Sequence, residues 1–243
     1  MPEEIAASIG RFGIWYVVFL FALTLHEAAH AFVAWLGGDE TAYQGGQVTL
    51  NPMPHIRREI FGTVIIPVVT FFFSGWMMGW ASTPYDPEWG ERYPKRQGIM
   101  SAAGPVANLL QAAAAFAILK VLLLRGYFVI PALDRIGFER LVVPPSGAAA
   151  SSLAEPLALA LSVALNLNVL LFLFNLIPLP PLDGAGMLKG LAPGAAGRFY
   201  ATFLSSPGMS IIGLLIAWQV FGYVFQPAFT ILVNLLYWGI PFH

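Results

Sequence analysis

The chain has 243 residues, 58% of them hydrophobic and only 10% charged. A soluble domain carries nearer ~25% charge, so most of this surface cannot face water and the chain reads as an integral membrane protein. The net charge of −1 gives no footprint for nucleic acid, and the absence of cysteine excludes disulfides, thiolate metal ligands and a cysteine nucleophile.

The N-terminal stretch MPEEIAASIGRFG lacks a basic n-region, so the apolar run behind it is expected to be a retained span and not a signal peptide. That first segment, about 10–36, closes on Gly37-Gly38, a helix C-terminal signal. Between Ile14 and Leu36 the only side chains that titrate near or below neutral pH are His26, Glu27 and His30. Residues 39–59 are polar, and a small β-hairpin is expected near 43–50, around Gly45-Gly46. Asn51-Pro52-Met53-Pro54-His55 then breaks regular structure.

The stretch 60–81 is long enough to span but is interrupted by Gly62, Pro67, Ser74-Gly75 and Gly79. A polar loop to Arg96 follows. Segment three, about 97–124, carries Gly104-Pro105-Val106-Ala107-Asn108, and residues 125–155 form a connection. Segment four, about 156–177, ends in Asn175-Leu176-Ile177-Pro178 and leads to Leu182-Asp183-Gly184. A short amphipathic piece spans 185–205, and Gln226-Pro227 is expected to divide the apolar tail 207–240 into two membrane segments. The expected fold is an all-α polytopic membrane protein. It has about five to six transmembrane helices, a re-entrant segment near 60–81 and the hairpin near 43–50. Residues 1–243 form one domain, with a catalytic core at about 10–190 and C-terminal membrane segments at about 207–240.

An ionisable group at membrane depth costs roughly 2.5–3.5 kcal/mol on insertion scales, and three are clustered at 26–30. His-Glu-x-x-His on a helix puts two imidazoles on one face and a carboxylate beside them, the pattern that binds zinc and carries its own general base. A catalytic zinc takes three protein ligands and keeps one position for water. The remaining histidines are His55, in a loop, and His243, the last residue; Asp183, after a proline-broken helix end, is the outstanding acid. A His26-His30-Asp183 site with one zinc per chain is the expectation, with Glu27 as general base. Asn108 and Asn175, amides on the two flanking segments, could each stabilise an oxyanion or be interhelical glue. The Gly104-Pro105 pair is read as allowing a local bend, the aromatics Phe71 to Phe73, Trp76 and Trp80 as a lipid face, and Lys120 as snorkelling. A metal-binding membrane protein without protease activity, a transporter or a degenerate scaffold, is the alternative; retention of Glu27 argues against it.

These residues resemble the site-2 protease family of intramembrane metalloproteases. The matches are His26-Glu27-Ala28-Ala29-His30, Gly104-Pro105-Val106-Ala107-Asn108, and Asn175-x-x-Pro178 followed by Leu182-Asp183-Gly184, in that order. Leu50-Asn51-Pro52-Met53-Pro54-His55 and Gly79-Trp80-Ala81 are similar to elements of a short bacterial and archaeal subgroup. There the chain reads Ser82-Thr83-Pro84 where relatives often have Lys-Pro, and Asp183-Gly184-Ala185 in place of Asp-Gly-Gly or Asp-Gly-Ser. The resemblance implies zinc on the two histidines and the aspartate, the glutamate as base, and cleavage of transmembrane helices in regulated intramembrane proteolysis. Membrane-tethered regulators or anti-sigma factors are the partners it implies. No stretch is long enough for the PDZ domain of some relatives.

A site built from segments one and four requires both to arrive from the same side, which holds only if 60–81 enters and returns. The motif side then holds Arg57, Arg58, Arg92, Lys95, Arg96, Lys189 and Arg198, against Arg11, Lys120, Arg125, Arg135 and Arg140 opposite. By the positive-inside rule the expected location is the cytoplasmic membrane, with the site towards the cytoplasm.

Overall fold

The computed structural model describes residues 2–145, 153–192, 194, 202 and 207–240; His243, Arg198 and most of the amphipathic piece after 192 lie outside the described residues. Helix α1 (Pro2–Leu36) has its one proline in the first turn, where no N–H partner is missed, and Glu3 and Glu4 there complement the helix dipole. It stops where Gly38 turns left-handed at φ 92°, with the Asp39 N–H reaching back to the Ala34 carbonyl at 2.9 Å.

The expected hairpin at 43–50 is not formed, and no strand occurs among the described residues. A helical turn, α2 (Thr41–Gln44), forms there instead, and Asp39, just before its N-cap Glu40, accepts from the Thr41 N–H at 2.9 Å and its hydroxyl at 2.6 Å. Gly46, at φ 70°, ends that turn, and the Gln47 N–H donates to the Ala42 carbonyl at 2.9 Å. The Gly-Gly pair thus terminates a helix and does not join two strands. Helix α3 (Met53–Arg58) follows.

Residues 60–81 double back. A wide helical turn (Phe61–Ile65) leads into α4 (Ile66–Ser74), which ends at Gly75 with φ 70°. The chain then returns in extended form until the Trp80 N–H meets the Gly62 carbonyl at 3.1 Å. The two limbs touch backbone to backbone: a Cβ at Gly79 would collide with the Gly62 carbonyl and lie 2.6 Å from Phe19 Cζ. The open end is tied by the Ser82 hydroxyl donating to Glu59 at 2.6 Å and by Arg58 Nε donating to the Ser82 carbonyl at 3.1 Å. The tip is held by Arg11, which donates to the Gly75 carbonyl at 2.9 Å and forms an ion pair with Glu139. Trp15 Nε1 donates to the same carboxylate at 2.7 Å. Phe71 is buried with Trp15 and Phe19, and Trp76 packs against them, so these two rings are core and not the lipid face expected of them; Phe72 and Phe73 are exposed.

Helices α5 (Pro87–Arg92) and α6 (Pro94–Leu124) follow, and α6 runs antiparallel to α1, since Arg96 meets Gly37, Met100 meets His30 and Asn108 meets His26. Helix α7 (Ala154–Asn175) begins beside Phe138 and Leu141 at the Glu139 end and runs parallel to α1. A bend at 176–182 turns into α8 (Asp183–Leu191). Helix α9 (Pro207–Tyr237) packs on α6 and α7, and the Lys120 ammonium donates to the Leu236 carbonyl at 2.8 Å and to the Trp238 carbonyl. Lys120 is therefore a C-cap for α9 and does not simply snorkel to an interface.

Four helices among the described residues are long and apolar enough to cross a membrane: Glu3–Leu36, Pro94–Leu124, Ala154–Asn175 and Gly208–Tyr237. The expectation of five to six spans overcounts, because α9 continues through Pro227. Division there would have left about a dozen residues on the C-terminal side, too few for the ~20 a span needs. Prolines are tolerated within transmembrane helices where neighbours satisfy the freed groups. The core lies where α1, α6 and α7 meet, and large apolar side chains such as Val17, Phe21, Leu110 and Leu215 point outward, as in lipid.

Candidate metal centre

His26 and His30 lie one helical turn apart on α1, both buried, with Nε2 atoms 3.0 Å apart. Asp183, the first residue of α8, brings its Oδ2 to 3.1 Å from His26 Nε2 and 3.3 Å from His30 Nε2. Two local features let these groups converge. A Cβ at Gly104 would run into both imidazoles, so the glycine face of α6 is the floor on which they rest. Helix α6 stays helical through Pro105, and Gly104 provides the clearance for the imidazoles. On the other side α8 lies against α6 backbone to backbone: a Cβ at Gly190 would sit 2.5 Å from Gly98 Cα. Asp183 and Gly190 are two helical turns apart on one face of α8, so this close approach aims the carboxylate at the histidines.

The imidazole roles follow from their second nitrogens. His30 Nδ1 lies 2.8 Å from the Met100 carbonyl, and His26 Nδ1 lies 2.6 Å from Asn108 Oδ1. Both partners are acceptors, so each Nδ1 carries a proton, and Nε2 is the nitrogen that each imidazole turns towards Asp183. These three ligand atoms, 3.0 to 3.3 Å apart, are close enough to share one cation. Ligands of a tetrahedral zinc at ~2.0–2.1 Å stand ~3.3 Å apart, so the donor set and its spacing fit zinc. These residues form the three-ligand His26-His30-Asp183 group among the described residues.

A cavity of about 460 Å³ opens onto this group. Glu27 lines it, buried, with its carboxylate accepting from the Thr83 hydroxyl at 2.6 Å; that hydroxyl also lies 3.0 Å from the Glu27 carbonyl. Asn175 lines the cavity too, with Nδ2 donating to the Leu171 carbonyl at 3.1 Å and its second amide hydrogen available. Asn108 is fully buried and does not line the cavity; it stands behind His26. His55 is buried on α3 and takes no part in the ligand group. Thr83, Tyr85, Gln97 and Ser101 also line the cavity and carry no sequence signal of their own. Asn168, behind Asn108, offered one: an amide in mid-span is expensive in lipid and so calls for a reason.

The chain matches the model of peptidase family M50 over residues 14–217. It is similar to "Putative zinc metalloprotease YwhC" of Bacillus subtilis (strain 168), 33% identical over 87% of this chain and 83% of that protein. It is also similar to "Putative zinc metalloprotease Rip2" of Mycolicibacterium smegmatis (strain ATCC 700084 / mc(2)155), 29% identical over 74% of this chain and 58% of that longer protein. No solved structure matches it. The family match runs across all three helices that build the metal centre, and its relatives are named for zinc. The chain belongs to peptidase family M50, the site-2 protease family, and is a membrane zinc metalloprotease.

Proposed function

We propose that this metalloprotease is an intramembrane endopeptidase. It cuts the transmembrane segments of membrane-protein substrates, with one zinc on His26, His30 and Asp183 and with Glu27 as general base. The observation that carries the reading is the place of Glu27. It lies in the second half of a membrane-length helix, next to a metal ligand, facing a cavity among apolar helices. His26 is ten residues from the end of α1, about 15 Å along the axis and so at membrane depth.

Zinc, when bound, acidifies a water towards pKa ~7 and polarises a carbonyl. Glu27 takes the proton of the attacking water and returns it to the leaving amine. Thr83 holds one carboxylate oxygen, leaving the other for that proton. Asn175 directs an amide hydrogen at the developing oxyanion. The extended run from Ala81 to Tyr85, committed to no helix or sheet, lines the cavity and gives an unwound substrate an edge to pair with.

The same reading places the enzyme in the cytoplasmic membrane with the cavity towards the cytoplasm, and its substrates among membrane-tethered regulators such as anti-sigma factors. Its test is zinc content and substrate cleavage for wild type and Glu27→Gln. Zinc near one per chain in both, with cleavage reduced by about 10²–10⁴-fold in the variant, is expected. Full cleavage by Glu27→Gln would remove the general base from the account.

A further inference from the structure

Behind His26 runs a line of buried amides that the catalytic reading does not use. His26 Nδ1 meets Asn108 Oδ1 at 2.6 Å, Asn108 Nδ2 donates to Asn168 Oδ1 at 2.8 Å, and Asn168 Nδ2 donates to the Ala164 carbonyl at 2.9 Å. Both asparagines are buried, Asn108 completely and Asn168 to within 3%.

An amide can be turned end for end with little change of shape, so its orientation must come from its partners. Here the partners allow one arrangement. The Ala164 carbonyl can only accept, so Asn168 must present its NH₂ there and its oxygen to Asn108. Asn108 must then present NH₂ to Asn168 and its oxygen to His26. An oxygen at 2.6 Å requires a proton on His26 Nδ1, and that leaves Nε2 bare on the metal side. The backbone of α7 thus dictates, through two side chains, which nitrogen of His26 can ligate.

We propose that Asn168 is a positioning residue of the metal centre: through Asn108 it fixes the tautomer and ring orientation of His26. The relay crosses α7, α6 and α1 in turn, and α7 also leads directly to Asp183. This rests on the His26-His30-Asp183 zinc site and is independent of whether the substrate is a membrane helix. His30 has no such dependence, because its Nδ1 rests directly on the Met100 carbonyl.

The test uses the full chain in detergent micelles and Zn²⁺ alone as probe. Zinc affinity is measured by chelator competition for wild type, Asn168→Leu and Asn166→Leu. Asn166 is a buried amide two residues away whose Nδ2 donates to the Phe138 carbonyl, outside the relay, so it controls for the loss of any buried amide on α7. Outer-shell partners of ligating histidines are worth about 10–100-fold in metal affinity. Asn168→Leu is expected to weaken zinc by that factor and Asn166→Leu to leave it unchanged. Equal affinities in wild type and Asn168→Leu, or equal losses in both variants, would overturn the proposal.

A second readout is the tautomer itself, and its wild-type arm needs no variant to fold. Histidine ¹⁵N shifts of the metal-free wild type at alkaline pH are expected to show His26 as the Nδ1–H tautomer alone. In Asn168→Leu the Nε2–H form should become populated. A wild-type His26 in the Nε2–H form would overturn the proposal outright.

Discussion

At Glu27 the surrounding chemistry is set by one hydroxyl. Thr83 is 56 residues away in sequence and 2.6 Å away in space. A hydrogen bond to a charged group is worth about 1.5–3 kcal/mol, which at ~1.4 kcal/mol per decade is roughly 10–100-fold in rate if it serves only to orient the base. Thr83→Val, nearly isosteric, should lower kcat by that factor with KM and zinc content little changed, while Thr83→Ser retains activity. Steady-state kinetics on one substrate decide this; a fall confined to KM would mean Thr83 contacts substrate and does not hold the base. Gly104 gives a sharper case. Its missing Cβ is the space occupied by the two imidazoles, so Gly104→Ala should lose zinc while remaining folded, read as metal content beside a circular dichroism spectrum. His26, Glu27 and His30 were legible in the sequence because ionisable groups in an apolar span demand compensation, and Asp183 as the outstanding acid after a proline-broken helix end, supported by the family resemblance. Thr83 was not, because a loop threonine carries no such demand. Asn108 was visible only as an amide; its contact with His26 depends on the crossing of α1 and α6, which spacing along the chain does not encode.

Among the elements, the doubled-back segment governs how Thr83 reaches Glu27. Its limbs close only because Gly62 and Gly79 allow backbone contact. Gly79→Ala forces the limbs apart. Overpacking of this kind costs about 1–3 kcal/mol, so a lowered Tm together with reduced cleavage is expected. Unchanged thermal unfolding and activity would show that the limbs separate freely. The return of this segment was legible from Gly62, Pro67 and Gly75, which interrupt an apolar run that would otherwise span. The hairpin was misread because Gly-Gly ends helices as readily as it joins strands, and the hydrogen bonds from Thr41 to Asp39 favour the helical turn. Pro227 was misread because a proline that would break a helix in water does not do so among packed apolar helices.

For the whole molecule, the parallel course of α1 and α7 brings the histidine-bearing part of α1 and the bend that leads from α7 to Asp183 to one side. The chain has no native cysteine, so single-cysteine labelling carries no background. Arg57→Cys and Glu91→Cys, both exposed, should label from the same face of a sealed vesicle, and Leu133→Cys from the other. Labelling of positions 57 and 91 from opposite faces would mean that 60–81 crosses the membrane. Zinc joins α1 to α8, so its removal should also lower Tm. A ligand at a hundred times its Kd contributes ~2.7 kcal/mol, and a chelator in a thermal melt reads that loss.

The most direct measurement is the position of the cut. A single-span substrate is incubated with the zinc-loaded enzyme in bilayers and the products are sequenced by mass spectrometry. The account predicts one cut inside the apolar span, abolished by chelation and by Glu27→Gln. A cut confined to the flanking soluble segments, or one that survives in Glu27→Gln, would contradict it.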